Sequence, residues 1–288
     1  MIDDVNKQLD TFNKNIWPEN REQAEKMASD MGYDTLVCLI EEGNFMGRSP
    51  SGIWSIGLQE DINRVKILLR YEINNNRKVI LWSENRQQIY NLQNIIKNKN
   101  INNIGQVSFS DCKYLCHSTT INSFKEIIKD KALLSYNELI RLGKVVNTIR
   151  GNLREPEDFF DYIDLAKINS LAPEKVVASR EYKELNFDLN KNYTPGVRIY
   201  FDKKKLESLP GACSDGLHIL KVFKRLELKH ALNIVFPSKL QMENFIKNNK
   251  REISNEIQSK FGFVERREAW SPTQYTEEAN RMFLKINR

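Results

Sequence analysis

The strongest constraint on this chain is a change of rhythm part-way along it. Between 33 and 110, strand-like apolar runs alternate with helix-period segments. Thr35-Leu-Val-Cys-Leu-Ile40 is strand-like, and 59–73 carries Ile62, Val65, Leu68 and Leu69 on one helical face. A strand at 78–82, a helix at 85–99 and a strand at 106–109 follow. From 196 onward the β-type runs succeed one another instead, at 196–201, 217–223 and 231–236, with Pro210-Gly211 and Asp215-Gly216 as turn signals between them. Alternation predicts a small α/β unit, and helices early with antiparallel strands late predict an α+β fold. The Asn-rich turn at 98–103 reads as a linker, so two regions are expected, 1–110 helical and α/β, and 111–288 as a second domain.

The flanking segments complete the reading. Residues 1–30 read as helices, with Val5, Leu9 and Phe12 along one stripe and Trp17-Pro18 as a break. Pro18 followed by Glu19, Glu22 and Glu25 suits a helix start, and Gly32 suits its stop. A glycine-rich loop is expected at 41–57. It fits neither Gly-x-Gly-x-x-Gly nor a P-loop, so it reads as structural or substrate-facing. Further expectations are a helix at 139–149, a strand at 175–180, a long helix at 239–261 and a final strand at 281–286.

Composition limits the function classes. A 40% hydrophobic fraction with 14 Phe, 10 Tyr and 4 Trp supports a packed core. No apolar run is long enough to span a bilayer, and Met1-Ile-Asp-Asp-Val lacks an apolar signal core. The expectation is a cytoplasmic protein, or an effector exported without a Sec signal, and no membrane partner. Cys38, Cys112, Cys116 and Cys213 are too scattered for a disulfide framework. Cys112, Cys116 and His117 lack the second pair that a zinc knuckle needs, so no metal is expected. With 44 bases against 38 acids the net charge is +6. Basic clusters at Lys203-Lys-Lys205, 221–225 and 247–251 are compatible with a polyanionic partner.

One stretch points to chemistry. Tyr114-Leu-Cys116 delivers His117, Ser118 and Thr119 to a strand end. A helix with Ile121, Phe124, Ile127 and Ile128 on one face follows, and then Ala132-Leu-Leu-Ser135. His117-Ser-Thr119, Phe124-x-x-Ile127-Ile128 and Ala132-Leu-Leu-Ser135 together resemble the ADP-ribosyltransferase superfamily. The likeness is to the branch with the DNA-modifying toxins and the tRNA 2′-phosphotransferases, and it covers about two dozen residues.

That resemblance implies split antiparallel sheets around a cleft for NAD, preceded here by the helical and α/β N-terminal region. It also implies transfer of ADP-ribose from NAD to a macromolecular acceptor, nucleic acid or protein, with release of nicotinamide. His117 would contact a ribose, with Ser118, Thr119 and Ser135 as weaker polar candidates, and Tyr200 or Tyr162 would offer an aromatic face. The family's late glutamate maps best to Glu278, ahead of the expected final strand, with Glu277, Glu268 and Glu265 as rivals. The junction departs from the family's pattern, because Glu278 stands about four residues before the apolar run. Arg154, Arg141 or Arg150 would take the pyrophosphate. The competing reading is a non-catalytic basic module that binds nucleic acid or protein. A Cys116–His117 nucleophile fails, because neighbouring strand residues face opposite ways.

Overall fold

The computed structural model describes residues 9–13, 15–42, 44–59, 62–98, 110–144, 155–184, 188–265 and 269–287. The chain is α+β and forms two compact units. One comprises Met1–Phe109, Arg150–Phe159 and Ser214–Leu217; the other comprises Ser110–Ile149, Phe160–Cys213 and His218–Arg288. No helix among the described residues is long and apolar enough to cross a membrane.

In the first unit the elements run β1 (Leu9–Thr11), α1 (Arg21–Asp30), β2 (Thr35–Ile40), β3 (Phe45–Arg48), β4 (Trp54–Gln59), α2 (Ile62–Asn74), β5 (Val79–Ser83) and α3 (Arg86–Asn98). The sheet order is β1-β5-β2-β4-β3, parallel except where β3 returns against β4. Parallel strands covered on both faces must be apolar throughout, and β2, β4 and β5 are buried along nearly their whole length.

Two expectations change here. Leu9–Thr11 is a strand, not part of a helix, because it pairs with β5. Three residues are too few to declare a period, so the partner decides. The 41–57 stretch is not one loop, since it carries β3 and β4. Gly57, the last residue of that stretch, is a close approach. A Cβ there would lie 2.1 Å from the Phe45 ring that covers the strand.

A buried polar clamp closes this unit. Glu72, fully buried, takes a paired contact from Arg77 at 2.6 and 2.8 Å and the Thr35 hydroxyl at 2.6 Å. Arg77 also reaches Asp158 at 2.6 Å, and the Tyr71 hydroxyl donates to the same carboxylate at 2.6 Å. Phe159 then packs edge-on against Trp54 and Tyr71.

The second unit runs β6 (Tyr114–Thr119), α4 (Ile121–Asp130), β7 (Ala132–Leu134), α5 (Tyr136–Arg141), β8 (Tyr162–Lys167), α6 (Ala172–Tyr182), β9 (Val197–Asp202), α7 (Lys203–Glu207), β10 (Ala212–Cys213), β11 (Leu220–Phe223), β12 (Arg225–Glu227), β13 (Ala231–Phe236), α8 (Lys239–Asn248), α9 (Asn255–Gln258), β14 (Phe261–Phe263) and α10 (Pro272–Ile286). Seven strands lie in the order β10-β11-β8-β6-β9-β13-β14, antiparallel except β13 with β14, and β7 pairs with β12 in a separate ribbon. On one face Cys116 and Tyr200 meet Val177 and Ala178 of α6 and Tyr275, Ala279 and Phe283 of α10. Phe124 of α4 forms another aromatic cluster with Phe236, Phe245 and Phe261.

Four segments differ from the sequence reading. Residues 175–180 are helical, within α6; Pro173 suits a helix start, and the β-branched pair Val176-Val177 divides between an exposed and a buried position. The 239–261 stretch breaks into α8, α9 and the opening of β14, each helix capped by its own serine, Ser238 and Ser254. The expected final strand at 281–286 is the end of α10. Ser271 and Gln274 form a capping box at that helix's start, and Tyr275, Ala279 and Phe283 make its buried stripe at i, i+4, i+8. The helix expected at 139–149 is short and starts earlier, since α5 ends at Arg141 and Gly143 turns the chain with φ 68°; residues 145–149 and the expected strand at 106–109 lie outside the described residues.

Candidate functional site

β6 brings His117 to a discontinuity in the large sheet. The ladder between β6 and β8 covers only Leu115↔Lys167 and Cys116↔Ala166, although both strands continue. His117 is the first residue past its end. The Nδ1 atom lies 3.5 Å from the backbone carbonyl oxygen of Asp164; a carbonyl only accepts, so a bond there requires the tautomer with its proton on Nδ1. The opposite edge of β6 stays paired with β9 through Thr119. His117 therefore sits on a rigid strand, at the place where one flank opens.

Burial disfavours the charged form of this imidazole. Burial pushes its pKa below the usual histidine value; the Asp164 carbonyl opposes that, and the Arg180 guanidinium adds to the lowering. Arg180, in the last turn of α6, is itself desolvated and has no acid partner among the described residues. Around Asp164 stand two more basic groups. Lys221, opposite it in register on β11, has a buried side chain with Nζ 4.0 Å from one carboxylate oxygen and 5.0 Å from the Tyr162 ring centre. His218 Nε2 lies 3.9 Å from the other oxygen. The Asp164 carboxylate itself remains 42% exposed.

The neighbours of His117 serve the fold. The Ser118 hydroxyl donates to Glu174, and Arg198 joins the same carboxylate at 2.8 Å. Tyr193 donates to the other Glu174 oxygen at 2.6 Å, and Arg198 also reaches the Ile168 carbonyl at 2.7 Å. Glu174 and Arg198 are fully buried, so Ser118 belongs to a closed ion-pair network and has no hydroxyl left for a ribose. Thr119 is buried, and its carbonyl lies against Gly196, where a Cβ would come within 1.8 Å. Burial pushes the Cys116 thiol up to about 11, as an inert core cysteine requires.

Two further sequence-based site assignments are overturned, beyond Ser118 and Thr119. Tyr200 is fully buried. Its ring stacks on Phe283 at 4.2 Å and its hydroxyl donates to Asn280 at 2.9 Å, which leaves no face for nicotinamide. Glu278 does not precede a strand. It lies inside α10, bonded to Arg281 at 2.9 Å one turn on, so the positional argument for it fails. Glu277 is exposed on the same helix, Glu265 is exposed beyond β14, and Arg141 is bonded to Glu138. Arg154, Arg150 and Glu268 lie outside the described residues.

Sequence reading missed Arg180, Asp164, Lys221 and His218. Period-2 alternation along Tyr162-Ile-Asp-Leu165 carried a signal for Asp164, because it puts Tyr162 and Asp164 on one face. Arg180 was hidden by reading α6 as a strand.

No family model matches the chain, and no curated protein matches it significantly. The site's own geometry is what speaks for its chemistry.

Proposed function

We propose that the second unit is an NAD-dependent ADP-ribosyltransferase that moves ADP-ribose to a macromolecular acceptor and releases nicotinamide. The observation that carries this reading is His117. Its pKa is pushed below the usual histidine value, its Nδ1 lies 3.5 Å from a backbone carbonyl at the lapse of a strand ladder, and it feels the charge of Arg180, which has no acid partner among the described residues. Donation from Nδ1 leaves Nε2 to accept a hydrogen bond from a ribose hydroxyl. Arg180 offers a guanidinium fork to phosphate oxygens.

NAD is the substrate in this reading. The bond between C1′ of the ribose and the nicotinamide nitrogen breaks, and its electron pair leaves with nicotinamide. The acceptor's nucleophile bonds to C1′ and loses its proton. A carboxylate stabilises the positive charge that develops at C1′. Asp164, exposed and beside His117, takes that role in place of Glu278.

The deciding experiment measures nicotinamide release from NAD by the purified chain, with DNA, RNA and protein acceptors, and follows acceptor mass. Turnover that His117→Ala abolishes, in a folded variant, is the expected result. A folded chain that neither binds NAD in calorimetry nor releases nicotinamide with any acceptor leaves the non-catalytic binding module as the correct reading.

A further inference from the structure

Asp164 stands on a stretch of β8 whose two flanks differ. The ladder with β6 lapses beyond Ala166, whereas the ladder with β11 continues through Leu165, Asp164, Ile163 and Tyr162. The strand that keeps Asp164 in register is therefore β11. The Asp164 carboxylate accepts no hydrogen bond among the described residues. Two basic side chains bracket it instead. Lys221 Nζ lies 4.0 Å from one oxygen, and His218 Nε2 lies 3.9 Å from the other.

The two basic groups differ in how firmly they are held. The His218 side chain is partly exposed and carries a charge only when protonated. The Lys221 side chain is fully buried. It stands opposite Asp164 on β8 and Cys213 on β10, and its Nζ lies 5.0 Å from the Tyr162 ring centre. A surface lysine samples many rotamers, but a buried stem on a paired strand keeps its ammonium in one place. The carboxylate beside it faces solvent and has no other anchor, so the direction of its oxygens follows from where the positive charges are fixed. A carboxylate that meets a charge developing at C1′ needs such a direction, because a misplacement of about 1 Å can cost about 10²-fold in rate.

We propose that Lys221 is a positioning residue: its ammonium draws the Asp164 carboxylate against β11 and sets the face it turns to C1′ of NAD. The role rests on the NAD reading above and adds to it the residue that aims the carboxylate.

The test compares nicotinamide release by the full chain, with the acceptor that supports turnover, for the parent, Lys221→Met, Lys221→Arg, Asp164→Asn and the double variant Lys221→Met with Asp164→Asn. Lys221→Met should lower kcat by about 10- to 100-fold, with KM for NAD within about twofold of the parent, since aim matters in the transition state and not in binding. Lys221→Arg, which keeps the charge, should recover part of the loss. In the Asp164→Asn background Lys221→Met should change single-turnover rates by less than about twofold, because a residue that acts through another has nothing left to aim. Lys221→Gln replaces the Met variant if that one does not fold. Parent-like turnover in a folded Lys221→Met or Lys221→Gln variant overturns the role and leaves the NAD reading standing. So does a loss that persists in full without the Asp164 carboxylate, or a rise in KM that matches the fall in kcat, either of which marks a structural part only. A parent that releases no nicotinamide with any acceptor defeats the NAD reading itself, and this role with it.

Discussion

At the scale of single residues, the site turns on where a carboxylate meets His117. The Asp164 backbone carbonyl lies 3.5 Å from the imidazole and the charge of its carboxylate acts on the ring, whereas Glu278 is bonded to Arg281 on a helix. Loss of an electrostatic contact made mainly in the transition state commonly costs on the order of 10²–10³ in rate. Asp164→Asn is expected to lower turnover by that factor with little change in NAD affinity, while Glu278→Gln stays within about twofold of the parent. Single-turnover rates for the two variants under matched conditions check this, and the reverse order would return the role to Glu278. His117 also makes a stability prediction. Burial holds its folded pKa below the unfolded value of 6.5. The unfolded chain therefore binds the proton first, and stability falls as the pH drops below about 6.5. His230 is lowered as well, by burial and Lys229, and adds to the same slope. Replacing His117 with Asn keeps a donor for the Asp164 carbonyl but removes the titration. Denaturant midpoints across that range should then show a shallower loss for the variant, by at most ~1.4 kcal/mol per pH unit. An unchanged slope would mean that the imidazole is solvated in the folded state.

At the scale of elements, the position of β6 depends on what is packed beneath it. α6 supplies Glu174 to a sealed contact with Arg198 of β9 and Ser118 of β6, and so ties helix to sheet directly behind His117. Removing one member strands a buried charge, at a cost of about 3–5 kcal/mol. Glu174→Gln should lose stability on that scale in chemical denaturation. The double variant Glu174→Leu with Arg198→Met should lose less than the single one, because no charge remains unpaired. A double variant worse than the single would show that the network acts by shape and not by charge. α10 braces the same strands differently: the Tyr275 hydroxyl lies 2.9 Å from the Gly196 carbonyl and 3.0 Å from that of Val235.

At the scale of the whole molecule, each unit has its own core, yet the first is not continuous in sequence. Asp158 and Phe159, distant along the chain, complete it by bonding Arg77 and Tyr71 and by covering Trp54. Phe159 is 3% exposed, and truncating a buried phenylalanine typically costs about 3–5 kcal/mol. Phe159→Ala should therefore lower the unfolding midpoint of the first unit. Hydrogen exchange resolved by peptide would show the loss in β2, β4 and β5; a loss confined to the second unit would contradict the assignment of this segment.

Much of the architecture was legible before any coordinates. The α+β class, and strands such as Ala231–Phe236 and Val197–Asp202, are legible because their side-chain period declares them. The strand–helix–strand module around His117 is legible for the same reason. What period cannot declare is an element whose state depends on a distant partner. Leu9–Thr11 is a strand only because β5 accepts it. The tail at 281–286 is helical because Phe283 finds Tyr200, and Val176-Val177 is helical because α6 must carry Glu174 to Arg198. The site follows that division. His117 was visible as a histidine at a strand end, while Asp164, Arg180, Lys221 and His218 join it only through strand register and helix packing. A sequence reports what each residue prefers; which charges meet is decided when the sheet closes.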